Sequence, residues 1–162
     1  WSTPMLVSDY MTPTPVTIRD DADYDAAFEI METQNLHHLP VVNADDEVVG
    51  ILARRDLQLA ARYFHEAPVE VAEVMHTPVV TIPSDANLSA AAERMMEDRI
   101  GSLPVSDDGR RVVGMITETD LFRALRQVLD TQSTEGQDRS AGLADAHASP
   151  TGGPPSPGPR AP

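Results

Sequence analysis

Sliding the 162-residue chain along itself by 64 positions places residues 7–62 on residues 71–126 without a gap, and 21 of the 56 aligned positions are identical. The matches cluster where structure would need them: Val16-Thr17-Ile18 falls on Val80-Thr81-Ile82, Leu39-Pro40-Val41 on Leu103-Pro104-Val105, Val48-Val49-Gly50 on Val112-Val113-Gly114, and Asp56-Leu57 on Asp120-Leu121. Two copies are too few for a solenoid. Two similar halves packed about a pseudo-twofold axis is the simplest way for both to bury their apolar faces.

Each half reads as strand, helix, strand, strand, helix. Val16–Ile18 and Val79–Ile82 are short β-branched runs. Asp23 and Asn87 follow at equivalent places, each with a side-chain oxygen suited to accept from the first turn of a helix. Behind them Tyr24, Ala27, Phe28 and Met31 share one helical face, as do Leu88, Ala91, Ala92 and Met95, which predicts core-facing helices. Leu39–Val42 and Val48–Leu52 flank the turn-prone 43–47, and Leu103–Val105 and Val112–Ile116 flank Asp107-Asp108-Gly109, as hairpins do. Helices opening at Asp56 and Asp120 close the halves. The expected architecture is mixed α/β (α+β): copy 1 over 5–66, copy 2 over 67–130. Phe28, Met31, Met95 and Met96 on the paired helices are more apolar surface than one seam covers, and predict a homodimer.

From Thr131 to Pro162 lie six of the fourteen prolines and five of the nine glycines, with Leu143 the one large apolar residue, so this segment is expected to be disordered. The chain opens on Trp1 rather than Met, which suggests a trimmed start or an expression remnant. Without cysteine there is no disulfide framework and no thiolate site or nucleophile. A net charge of −14 with arginine as the only basic type argues against nucleic acid, and no apolar run approaches the roughly 18 residues of a membrane span. The expectation is a soluble cytoplasmic protein.

The strongest chemical constellation is Gly114-Met115-Ile116-Thr117-Glu118-Thr119-Asp120, a strand running into two hydroxyls and a carboxylate at a helix start. Free N–H groups there favour an anion, and hydroxyls add bonds to phosphate oxygens. The carboxylate suits two vicinal hydroxyls, as on a ribose, or caps the helix; the segment alone leaves both open. His37-His38 raises a metal site, but neighbours entering a strand point to opposite faces and cannot chelate together; one is expected to line a cleft and the other to face solvent. No nucleophile with a base partner is found, so the chain is not read as an enzyme.

The double unit, with its M-x-x-x-x-V-T-I opening (Met75 to Ile82), L-P-V strand and G-h-h-x-x-x-D exit, resembles a tandem pair of CBS domains over about 5–130. The resemblance implies a β-α-β-β-α fold per copy, two clefts that take AMP, ADP, ATP, S-adenosylmethionine or related ligands, and assembly of two pairs into a disc-shaped dimer. It assigns the ribose carboxylate to Asp120 and Asp56, and the phosphate hydroxyls to Thr117 and Thr119; copy 1 has Ala53 and Arg55 at those two places. Arg55 is then a donor to phosphate or the partner of an acid. The base would be held by Thr12, Thr14, Val16, Leu36, His37 and His38 in the main cleft, and by His76 to Val80 with Ile100, Gly101 and Ser102 in a weaker second one. The resulting expectation is a regulatory module with no cofactor, binding an adenosyl ligand and acting on a separate effector or cut from a larger protein. Against it stand a dimerisation module with decayed clefts and a metal-binding stress protein.

Overall fold

The computed structural model describes residues 3–63 and 68–144. The chain divides into two compact units, Trp1–Ala124 and Leu125–Pro162. The first holds copy 1 and copy 2 as far as Ala124. Copy 1 contributes α1 (Val7–Tyr10), β1 (Thr12–Pro13), β2 (Ile18–Arg19), α2 (Tyr24–Thr33), β3 (His38–Val42), β4 (Val48–Ala53) and α3 (Arg54–Tyr63). Copy 2 contributes α4 (Val71–Val74), α5 (Leu88–Asp98), β5 (Ser102–Val105), β6 (Gly114–Thr117) and α6 (Glu118–Ala144), which runs on into the second unit.

The two sheets have strand orders β2-β3-β4 and β1-β6-β5. In each, the hairpin expected from the sequence forms: β3 pairs antiparallel with β4, and β5 with β6. The turn of the first is closed by Asn43, whose Oδ1 accepts from the N–H groups of Asp45 and Glu47, both at 3.0 Å. Ile18 lies parallel to Val41, and Ile82 parallel to Val105. The run expected as a strand over Val79–Ile82 makes only that single bridge, and the ladder of its counterpart is just two residues long.

The segments that lead into the copies are exchanged. Thr12 of copy 1 pairs with Met115 of copy 2, while His76 pairs with Ile51, the same two positions displaced by 64. Leu6 bridges to Asn87 as Glu70 does to Asp23. Val7 is buried in the core of copy 2 with Leu88, Met95, Leu103 and Ile116, and Val71 in the core of copy 1 with Met31, Leu39, Leu52 and Leu57. The repeating stretches of sequence are therefore not the packing units, and the pseudo-twofold relation extends to individual hydrogen bonds.

The predicted helical faces point inward: Ala27 and Met31, and Leu88, Ala91 and Met95, are buried. That corrects the surface expected for self-association, because two of its four residues are core; Met96 is 73% exposed and Phe28 only partly buried. Asp23 and Asn87 do precede the helices, but neither side chain caps; the first-turn N–H of Tyr24 goes instead to Val69 O (2.9 Å) and that of Leu88 to Met5 O (2.8 Å), both brought by the exchanged segments. The expectation of disorder from Thr131 is corrected as far as Ala144, since α6 continues through it. No proline occurs between residues 131 and 149, so a helix already nucleated in the core can propagate through the segment despite Gly136 and Gly142, each of which costs about 1 kcal/mol relative to Ala. Residues 145–162 lie outside the described residues. No helix among the described residues is long and apolar enough to cross a membrane.

Candidate functional site

Two cavities lie where copy 1 meets copy 2. The first, about 360 Å³, is walled by Thr12, Thr14 and Val16 from the leading segment of copy 1, by Leu36, His37 and His38 ahead of β3, and by Thr117 and Thr119 from the β6–α6 turn of copy 2. The second, about 910 Å³, is walled by His76, Thr77, Pro78 and Val80 and by Ile100, Gly101 and Ser102 of copy 2, with Ala53 and Arg55 from the β4–α3 turn of copy 1. Most of the sequence-derived residues are placed on these two walls, but Asp120 and Asp56 are on neither. His37, His38, Gly101 and Glu118 border both cavities, so the clefts adjoin. Both histidines border the clefts; His38 is half-buried, and His37 is exposed to solvent as expected of one of the pair.

Each turn is fastened in the same way. The Arg54 N–H donates to His37 O (2.8 Å) and the Glu118 N–H to Gly101 O (3.0 Å). The strand end is held from below by the aspartate three residues on. Asp120 Oδ2 accepts from the Thr117 N–H (2.9 Å) and Oγ1 (3.0 Å), and its Oδ1 pairs with Arg123 (3.1 Å). Asp56 Oδ2 accepts from the Ala53 N–H (3.2 Å) and pairs with His76 Nε2 (2.9 Å). Asp120 is buried, and neither carboxylate is on a cavity wall. Asp120 thereby ties the helix start to the strand and holds the Thr117 hydroxyl in place.

His38, half-buried between the clefts, is pushed below its usual value of 6.5, chiefly by burial and then by His37, with Glu118 and Asp56 pulling the other way. Sequence reasoning missed Asn35 on the first cavity and Arg54, Arg94, Asp98 and Arg99 on the second. The signal for Arg54 and Arg99 was present: both adjoin segments already assigned to the clefts. No group of three metal-ligating side chains occurs among the described residues.

The family model for the CBS domain matches residues 7–62 and 71–127, nearly the boundaries of the internal repeat. The chain belongs to the CBS domain family, as a tandem pair. A CBS domain-containing protein of Dictyostelium discoideum is 31% identical over 141 residues, covering 78% of this chain and 94% of that one. A homoserine O-acetyltransferase of Methanohalobium evestigatum is 33% identical over 121 residues, 75% of this chain but 24% of that protein, so the chain spans about a quarter of such relatives. Among solved structures, the CBS domain pair of protein MJ0100 in complex with 5′-methylthioadenosine and S-adenosyl-L-methionine superposes with a TM-score of 0.72 at 30% identity, over 77% of this chain and 98% of that one. AcuB from Vibrio cholerae does so at 0.73 and 32%, over 82% and 99%.

Proposed function

We infer that this CBS pair is a regulatory binding module whose clefts take adenosine-containing ligands, and that it reports them through the relative arrangement of its two copies. The observation that carries the reading is the reciprocity of the walls: each cavity is formed by the leading and pre-strand segments of one copy and the strand–helix turn of the other. A ligand in either cleft touches both copies, so its affinity differs between their arrangements and binding shifts the population toward the tighter one. The adenosyl ligands of the MJ0100 pair support the ligand class. In the first cleft, Thr117 and Thr119 offer hydroxyls and Asp120 positions Thr117 from behind. The arrangement would be read by a separate effector or by the remainder of a larger protein.

Thermal unfolding of the purified chain with AMP, ATP, S-adenosylmethionine and 5′-methylthioadenosine tests the reading. A ligand at 100 times its dissociation constant adds about 2.7 kcal/mol, which for a folded region of this size raises Tm by roughly 5–15 °C. A panel that leaves Tm unmoved at millimolar ligand overturns the proposal in favour of a module that only dimerises.

A further inference from the structure

The twofold relation lets the two clefts be compared position by position, and the comparison separates them by charge. At the end of α2 the left-handed residue is Asn35 (φ 52°), a type that tolerates that conformation; its counterpart after α5 is Arg99 (φ 54°), whose long side chain gains nothing from it. Thr119 corresponds to Arg55, Glu118 to Arg54 and Ile30 to Arg94. All four arginines border the second cavity and none borders the first. In a chain of net charge −14, a third of its twelve basic residues converge on one cavity.

These guanidinium groups are incompletely matched. Arg94 pairs with Asp98 (2.8 Å), and Arg54 reaches Glu32 through Nη2 (3.2 Å). Arg54 Nε is buried and finds no acceptor, and among the described residues neither Arg55 nor Arg99 forms an ion pair. Arginines on a cavity wall that lack a carboxylate partner, as Arg55 and Arg99 do, suit phosphate oxygens in both geometry and charge. The first cavity is the smaller and carries one carboxylate, Glu118, with no arginine, whereas the second carries two, Glu118 and Asp98, against four arginines.

We propose that the second cleft takes a nucleoside 5′-di- or triphosphate, with the arginine cluster on the phosphate chain, while the first takes an adenosyl ligand that carries no phosphate. This rests on the adenosyl-ligand reading and assigns a ligand class to each of its clefts. The assignment reverses the ranking expected from Thr117 and Thr119 alone: the copy that lacks both hydroxyls supplies Arg54 and Arg55 to the phosphate-binding cleft, and copy 2 adds Arg94 and Arg99.

The test is calorimetry on the full chain with ATP, 5′-methylthioadenosine and inorganic tripolyphosphate, at low and at high salt. The comparison variant is Arg55→Thr/Arg99→Asn, which installs at the second cleft the residues the other copy already accommodates at equivalent positions. ATP should lose about tenfold or more in affinity in the variant, as expected when charge-assisted bonds to phosphate are removed, and should weaken with salt. Binding of 5′-methylthioadenosine should stay within about twofold in both comparisons, which also reports that the variant is folded. ATP unaffected by the substitutions, or both ligands weakened alike, overturns the assignment. If neither nucleoside ligand binds but tripolyphosphate does, in an arginine-dependent way, the adenosyl reading falls and the anion site stands; if none of the three binds, both fall.

Discussion

Gly50→Ala and Gly114→Ala probe the contact that holds the exchanged segments in place. A Cβ at Gly50 would lie 2.6 Å from Met75 Sδ and 3.0 Å from both Met75 Cγ and His76 O. One at Gly114 would lie 2.5 Å from Met11 Sδ and 3.1 Å from both Met11 Cγ and Thr12 O. Ordinary contact needs about 3.5–4.0 Å, so each sulfur must retreat by about 1 Å. The thioether has rotamers with which to do so, but the carbonyls move only with the backbone that bridges the copies, at His76–Ile51 and Thr12–Met115. The cost should fall in the overpacking range of about 1–3 kcal/mol per substitution, read as a shift of the urea midpoint at constant slope. Because Thr12 walls the first cleft and His76 the second, Gly114→Ala should weaken ligand at the first and Gly50→Ala at the second. Removing the obstructing side chain makes the test sharp: the loss in Gly50→Ala/Met75→Ala should be smaller than the sum of the single losses by about 1 kcal/mol, since the new methyl occupies space the methionine gave up. Additivity within about 0.5 kcal/mol, or neutral single variants, would refute the reasoning.

Three further outcomes are expected. His38 is held below 6.5, so as pH falls past 6.5 the unfolded chain takes up its proton before the folded one does; stability should decline from there down to the folded value and level off below it. His38→Asn should shrink the stability difference between neutral and mildly acidic pH, and a difference as large as in the parent chain would exclude His38 as its source. Asp120→Ala removes a buried acceptor of two Thr117 donors and an Arg123 pair, and should cost about 2–4 kcal/mol. Asp56→Ala should cost less, because its partners are one N–H at 3.2 Å and an exposed histidine, and chemical denaturation of the two variants should rank them so. Met96 and Phe122 are large and 73% and 67% exposed, which favours self-association; light scattering of a monomer at micromolar concentration would exclude it.

The hairpins and the core faces of α2 and α5 were legible in the sequence because each is a local apolar pattern, fixed by which residues must leave water. Site residues were legible where a short motif stays together in space, as Thr117 and Thr119 do, or where one copy's role carried over to the other's register, as at Ile100–Ser102. Asp120 was not decidable, since an aspartate at a strand–helix turn is the same residue type whether it braces Thr117 or faces a ribose, and its bonds to the Thr117 and Arg123 donors depend on where the turn places them. The arginine cluster escaped because its members are far apart in sequence, and single charges on an acidic chain read as solvated surface until the copies are superposed. Least legible was the exchange of leading segments, and the repeat itself is the reason. Val7 and Val71 are the same residue at equivalent positions, and each would fit either core by hydrophobicity and size. Periodicity reports that a valine is to be buried, not which of two nearly identical cores receives it. That choice belongs to long-range pairing, to the bridges Leu6–Asn87 and Glu70–Asp23 and to the Met11–Gly114 and Met75–Gly50 contacts. The same exchange carries Thr12 and His76 across to the opposite copy, so the step that local pattern cannot specify is the one that builds both clefts from two copies.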